Sequence, residues 1–333
     1  MRKAILLSLL VFALMGCEKL SGSSIEFRKT EPRQKISIAY TFQPQSTLVH
    51  VAIAKGYFAD EGLDVLPLMH TYGKLALQDV IDKRADFSTV AETPVMFSVL
   101  KGEMVFVVAN IESSTANNGV VARRDADISA PGDLKGKRIG FTPGTTSDFF
   151  LDSFLTANGL TRKDIQPVAL KPEEMHDSLM VRKVDAVCTW NYPLTQIRRR
   201  LGPQGVVFFD REIYTETFNI AARQDYVLEH PLVVKRLLRA LIKSEGFVAD
   251  SPVEAQAIMA AATKLDQGLV REVWDAFQYK VVLDQGLLIT LEDETRWAMK
   301  NKLVEQVAMP DYRKFIHSES LAAIKPEAVT LNR

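Results

Sequence analysis

The chain has 333 residues, 41 basic and 41 acidic side chains, 47% hydrophobic residues and 25% charged ones. That mix excludes intrinsic disorder and collagen-like structure, and the length suits two lobes or one large one. Zero net charge argues against nucleic-acid binding, which needs a basic surface to displace counterions from phosphates. The short clusters Arg123-Arg124 and Arg198-Arg199-Arg200 read as solvated faces.

The first residues read as a processing signal. Arg2 and Lys3 precede an apolar run, Ala4 to Met15, too short to span a bilayer. It suits a signal peptide over residues 1–16. The sequence Leu14-Met15-Gly16-Cys17 resembles the lipobox of bacterial lipoproteins, which implies cleavage before Cys17 and lipid attached to it. A polar tether over 17–34 follows, with Ser21-Gly22-Ser23-Ser24 as its flexible part. The expected product is an exported, membrane-anchored lipoprotein facing the periplasm or cell exterior. Cys188 is the second of two cysteines, in an apolar run that reads as a buried strand. Packing is expected there, not nucleophilic chemistry. No cysteine pair has zinc-type spacing, the five histidines are scattered and read as surface or capping residues, and neither metal nor cofactor is expected.

Beyond the tether, Lys35 to Phe42 alternates as a strand does, and residues 47–55 read as a helix closed by Gly56. A strand over 63–68, a helix from Gly73 to about Asp82, a strand over 87–91 and a helix opened near Pro94 come next. Val105 to Ile111 is continuously apolar, as a parallel strand buried on both faces would be. A second unit begins near Gly119. It reads as strand 137–141, a helix running from Thr146 to Asn158-Gly159, and a Thr161/Asp164 capping pair. Strand 166–170, helix 172–182, strand 184–189, a helix near 193–201 and strand 206–209 complete it. Alternation of this kind means βαβ units and mostly parallel sheets. From Asp225 onward the chain is helix-rich, with helices starting at Pro231 and Pro252 and a third over 291–307. Trp274 and Trp297 read as core.

Two stretches, Ala54-Lys55-Gly56-Tyr57-Phe58-Ala59-Asp60-Glu61-Gly62-Leu63-Asp64-Val65 and Asp133-Leu134-Lys135-Gly136-Lys137-Arg138-Ile139-Gly140, resemble the substrate-binding proteins of nitrate/sulfonate/taurine-type ABC importers. That family also contains thiamine-precursor (NMT1/THI5-like) binding proteins. Val184-Asp185-Ala186 with Trp190-Asn191-Tyr192-Pro193, and the tail around Lys325-Pro326-Glu327, extend the resemblance over residues 35 to 330. It implies an α/β, two-lobed periplasmic binding protein type 2 fold: two doubly wound lobes, hinge-connected, with the ligand between them. Lobe one is then 35–116 with 222–333, and lobe two is 117–221. The hinge crossings are expected near 112–122 and 215–222. The family tends to place glycine before the acidic residue that opens a strand in each lobe; here Lys83 and Arg182 stand near those places.

In such sheets ligands bind outside the carboxyl ends of the strands, where helix N-termini offer free N–H groups. Five loops qualify, and the resemblance places ligand contacts on them: Gln45, Ser46 and Thr47; Tyr72, Gly73 and Lys74; Glu92 and Thr93; Gly144, Thr145 and Thr146; Trp190 and Asn191. Ser46, Thr47, Thr145 and Thr146 fit helix caps as well as ligand contacts, and Trp190 fits either a cleft wall or the core. The loops contain no Arg and one Lys, while Glu92 lies among them and Glu112 and Glu216 near the hinge. Small oxyanions want Arg or Lys forks, so a solute with amine or ring N–H donors fits better than nitrate. The resemblance implies a monomeric solute-binding lipoprotein that is not an enzyme, with a small-molecule ligand and ABC permease transmembrane subunits as partners. The other readings are a same-fold enzyme of thiamine-pyrimidine or quinone biosynthesis and a ligand-sensing adaptor lipoprotein. No Walker loop, nucleophile elbow or His-Glu-x-x-His motif is present.

Overall fold

Alternating strands and helices build two five-stranded sheets. The computed structural model describes residues 32–305 and 308–331; the leader, Cys17 and the tether up to residue 31 lie outside the described residues. In chain order the first part comprises β1 (Gln34–Thr41), α1 (Thr47–Ala54), α2 (Tyr57–Asp60), β2 (Leu63–His70), α3 (Gly73–Ile81), β3 (Phe87–Ala91), α4 (Glu92–Leu100) and β4 (Val105–Ser114). The second comprises β5 (Asn118–Arg123), β6 (Arg138–Phe141), α5 (Thr146–Ala157), β7 (Gln166–Ala169), α6 (Met175–Met180), β8 (Ala186–Trp190), α7 (Pro193–Leu201) and β9 (Gly205–Phe208). The chain then returns through β10 (Glu216–Arg223) to α8 (Gln224–Glu229), α9 (Pro231–Asp250), α10 (Pro252–Thr263) and α11 (Gln267–Val273). It finishes with β11 (Leu283–Asp284), α12 (Gln285–Lys300), α13 (Glu319–Ala322) and β12 (Val329–Thr330).

The sheets have the orders β2-β1-β3-β10-β4 and β7-β6-β8-β5-β9. Each has one strand running against its neighbours: β10 is antiparallel to β3 and β4, and β5 to β8 and β9. Both reversed strands lie next to a crossing, since the chain leaves the first sheet at Ser114 and enters the second at Asn118, then returns from Phe208 to Glu216. The expectation of a parallel β4 is therefore corrected: its strand partner is β10, antiparallel. Its burial is as the apolar run implies, because bridges from Gln278, Val282 and Ile316 cover its other side.

The helical C-terminal region packs as its patterning requires. Val234, Leu237, Leu238 and Leu241 of α9 are fully buried, and the helix lies on α1 and α2. The helix expected over 291–307 instead starts at Gln285, because Asp284 accepts hydrogen bonds from the Gly286 and Leu287 amides and so fixes the N-terminus. Lys302, with φ 57°, follows its end. Two histidines depart from the surface or capping reading. His50 is buried with its ring against Tyr40 and Nε2 on the Thr41 carbonyl, and His317 is buried beside Ser320. Cys188 lies fully buried in β8, as packing requires. Among the described residues no helix is long and apolar enough to cross a membrane.

Lys83 and Arg182 both have φ 61°, left-handed backbone in which a Cβ is strained. Each side chain is exposed, and only Arg182 makes an ion pair that substitution would remove, with Asp125. Lys83→Gly and Arg182→Gly should each raise stability by about 0.5–1 kcal/mol, with Lys83→Gly the cleaner case. Urea unfolding checks this; an unchanged or lower midpoint for Lys83→Gly would show that the strain is relieved elsewhere.

Candidate functional site

The carboxyl ends of β1, β2, β3, β6 and β8 converge on one narrow space between the sheets. Seven of the expected residues line it: Gln45, Tyr72, Gly73, Lys74, Thr145, Thr146 and Trp190. Gln43, Ala91, Pro94, Glu216 and Phe218 complete the wall. The space is narrow and open to solvent, with a cavity volume of about 20 Å³. Trp190 is both buried and part of the wall, with its ring 6.4 Å from that of Tyr72 across the cleft.

The other six expected residues lie behind this wall or beside it. Ser46 is hydrogen-bonded to the Thr41 and Thr89 hydroxyls, and Thr47 donates to the Pro44 carbonyl and meets the Tyr279 hydroxyl. Thr93 donates to Glu294, and Asn191 takes a hydrogen bond from Thr195. Glu92 accepts from the Thr217 amide and hydroxyl at 2.7 and 2.9 Å. Gly144 borders a neighbouring groove, where its amide donates to Asp148. The capping reading of the four hydroxyls is also corrected. Thr145 donates to the Thr142 carbonyl and Thr146 to Asn118, and none of the four accepts from a helix-terminal amide. Ser46 and Thr145 instead tie their turns to the preceding strand end, Thr47 stays within its turn, and Thr146 reaches the start of β5.

Lys74 crosses the cleft. Its ammonium donates to the Pro143 carbonyl at 3.0 Å, so its charge is engaged by the opposite lobe. Gly144 permits this, since a Cβ there would stand 2.9 Å from Lys74 Nζ. Burial and nearby Lys101 push the Lys74 pKa down. Gly73 serves a similar end: a Cβ would meet the Val90 Cα at 2.8 Å, so only glycine lets the start of α3 lie against β3.

Carboxylates dominate the site. Glu92, Glu112, Glu216 and Glu294 are all buried, and among the described residues none pairs with Lys, Arg or His. Glu216, on the wall, accepts from Asn117 at 2.8 Å, from Gln45 at 3.3 Å and from Asn118. Burial raises its pKa while these amide donors pull it back. Burial and the charge of Glu216 push Glu92 and Glu112 well above the ordinary carboxylate range, and Glu294 rises through burial and Glu92. Unpartnered buried acceptors gather here: both oxygens of Glu112, Oε1 of Glu92, Oε2 of Glu294 and the side-chain carbonyl of Gln45. Among the described residues the unpartnered buried groups able to donate are Trp190 Nε1 and the hydroxyls of Ser88, Thr142, Thr189, Tyr192 and Tyr214. An arrangement so rich in acceptors suits a group that brings N–H donors.

Sequence reasoning placed the turns but missed Glu216 and Phe218 as wall residues, because β10 read as a hinge and not as an inserted strand. Gln43 sat in a loop already selected. Glu294 carried no signal, since α12 meets α4 only through tertiary packing.

Residues 43–255 match the NMT1/THI5 like family. The chain belongs to that family. Similar family-type proteins include a Brucella abortus (strain 2308) protein named as a candidate binding protein, 27% identical over 67% of this chain and 69% of its own. A formylaminopyrimidine-binding protein of Halalkalibacterium halodurans is 24% identical over 77% of this chain and 78% of its own. The crystal structure of the periplasmic aliphatic sulphonate binding protein SsuA from Escherichia coli superposes with a TM-score of 0.74 at 18% identity, covering 85% of this chain and 97% of that one. The fold of the NMT1/THI5 like chain is thus that of the periplasmic binding proteins, with two α/β lobes.

Two outcomes follow from this packing. Gly73→Ala should destabilise the protein by about 1–3 kcal/mol through the clash with β3, read as a lower urea midpoint. The pH dependence combines two signs. His50 ionises near 6.5 when unfolded but about 4 when folded, so its contribution is lost as pH falls below 6.5. The raised carboxylates act oppositely: unfolded they ionise near 4.5, and the folded chain holds their protons, so stability is lost as pH rises through their folded pKa values. Once His50 is neutral in both states the carboxylates alone set the slope, and the urea midpoint should fall as pH rises further. The fall should be shallower in Glu294→Gln; a flat profile would mean that these groups are already ionised in the fold.

Proposed function

We propose that the protein is the solute-binding component of an ABC importer, an exported lipoprotein held at the membrane through Cys17 and acting as a monomer. Its cleft, between lobes at 35–116 with 222–333 and at 117–221, captures a small organic solute with amine or ring N–H donors. The lobes part to admit it and close over it, and the closed form is presented to the permease subunits. The observation that carries this reading is Glu216: a buried carboxylate on the cleft wall, held by amides alone, with three further buried glutamates behind it and no cation paired to any of them among the described residues. An oxyanion would face repulsion there, whereas an N–H donor gains a charge-assisted bond.

The formylaminopyrimidine-binding relative fits the same acceptor-rich logic. A binder is favoured over an enzyme because burial pushes the Cys188 thiol far up, and its Sγ donates to the Ser147 carbonyl. That thiol is inert.

A thermal-shift screen of the purified chain tests the reading with alkylamines, aminopyrimidines, taurine, alkanesulfonates and nitrate. A ligand at about 100 times its Kd adds about 2.7 kcal/mol, several degrees of Tm. Amines or aminopyrimidines should give the shift, without turnover, and Glu216→Gln should weaken binding about tenfold or more. A shift with nitrate or sulfonates alone, or conversion of a compound, would overturn it.

A further inference from the structure

One face of the first sheet carries a second carboxylate. Phe218 of β10 stands opposite Glu112 of β4, and Glu216 opposite Ser114. Directly opposed residues of an antiparallel pair project from the same face, as do residues two apart on a strand. Glu112 therefore shares the face from which Glu216 and Phe218 reach the cleft wall, and it stands diagonal to Glu216 at about 7–8 Å.

Glu112 is fully buried, and neither of its oxygens has a partner among the described residues. Gln45, on the wall, donates its amide to Glu216 and keeps its buried carbonyl oxygen unpartnered. On the other side, the Thr47 and Tyr279 hydroxyls meet at 3.3 Å. Phe218 shares the face of the two carboxylates, and the Tyr72 and Trp190 rings line the cleft that Glu216 and Phe218 wall. A pair of acceptors on one face beside aromatic rings suits two ammonium or amino groups joined by methylenes.

We propose that Glu112 is the second carboxylate of the ligand site and that the solute is a two-ended amine, one nitrogen taken by Glu216 and the other by Glu112. The inference rests on the amine reading given above and adds the number of donor groups and their separation. Four or five carbons between the nitrogens span the diagonal of the strand pair.

Isothermal titration of the purified chain with 1,4-diaminobutane and with 1-aminobutane tests this. The diamine should bind about tenfold to a hundredfold more tightly than the monoamine. Glu112→Gln should remove that advantage, so that the variant binds the diamine and 1-aminobutane about equally, which a merely structural role for Glu112 would not produce. The variant replaces an unpartnered buried carboxyl by a neutral group of the same shape, so its Tm should equal or exceed that of the parent, and this measurement shows that it folds. Equal affinity for the two amines, or a diamine preference that survives Glu112→Gln, would overturn the second anchor and leave the amine reading standing. Failure of both amines to bind while a sulfonate or nitrate does would overturn the amine reading and this inference with it.

Discussion

The Glu216 carboxylate is where the two sheets are tied together chemically. It heads β10, the strand inserted antiparallel between β3 and β4, and it collects amide donors from Gln45 after β1 and from Asn117 and Asn118 at the crossing into β5. Asn118 also accepts from Thr146 at the start of α5, so a single buried anion organises the first turn, the crossing and a helix terminus of the second lobe. Hydrogen bonds to a charged acceptor are stronger than neutral ones, and an unsatisfied buried charge is costly. Those two facts explain why so many amide donors point at one carboxylate. Because β10 is inserted antiparallel beside the crossing, Glu216 and Phe218 reach the cleft wall.

Behind Glu216 further acidic side chains are gathered rather than dispersed. Glu92 reaches Thr217 beside it, and Glu294 reaches Thr93 beside Glu92, so carboxyls alternate with threonines from the cleft to α12. Each threonine satisfies one oxygen, and the opposite oxygens of Glu92 and Glu294 stay unpartnered. Burial disfavours the charged form of each carboxyl, and neighbouring carboxyls add repulsion, so their pKa values are raised. The basic residues of the chain are used elsewhere. Arg162 pairs with Asp148 and Asp152, Lys325 with Glu245, and Lys74 spends its charge on a carbonyl. Polarity in the cleft is therefore set by where the cations are anchored as much as by where the glutamates lie.

Much of this was legible in the chain, for identifiable reasons. Turns that follow parallel strands can be read from Gly, Pro and hydroxyl residues, and the loops around Gln45, Gly73 and Thr145 do meet at the cleft. Two of the five left-handed non-glycine positions among the described residues, Lys83 and Arg182, stand where the resembled family tends to place glycine, whereas Asp127, Lys264 and Lys302 carry no such signal. What stayed hidden depends on long-range placement. Hydropathy cannot tell an apolar strand paired in parallel from one paired in the opposite sense, so the direction of β4 was misread. Nor can loop position separate a residue on the wall from one a turn behind it. Glu92 opens α4 where a ligand contact was expected, yet its side chain turns to Thr217. The cap at Asp284 escaped because the apolar periodicity was followed from Leu291 and not from the acidic residue ahead of it.

The contacts that span the lobes outside the cavity are few and mostly half-exposed. Arg199 pairs with Glu272 at 2.9 Å, Trp297 Nε1 donates to Asp152 at 2.7 Å, and Lys74 meets Pro143. Exposed ion pairs of the first kind contribute roughly 0–1 kcal/mol. On the proposed reading, bringing the lobes together strips water from the Glu216 carboxylate, which opposes closure while no cation compensates it. A cationic solute then reverses that balance: the carboxylate that resists closing becomes the group that favours it once the ligand supplies the donors. The side chain best suited to hold the ligand is then also the one that keeps the unliganded lobes from locking, and one buried glutamate provides both selectivity and the coupling of binding to closure.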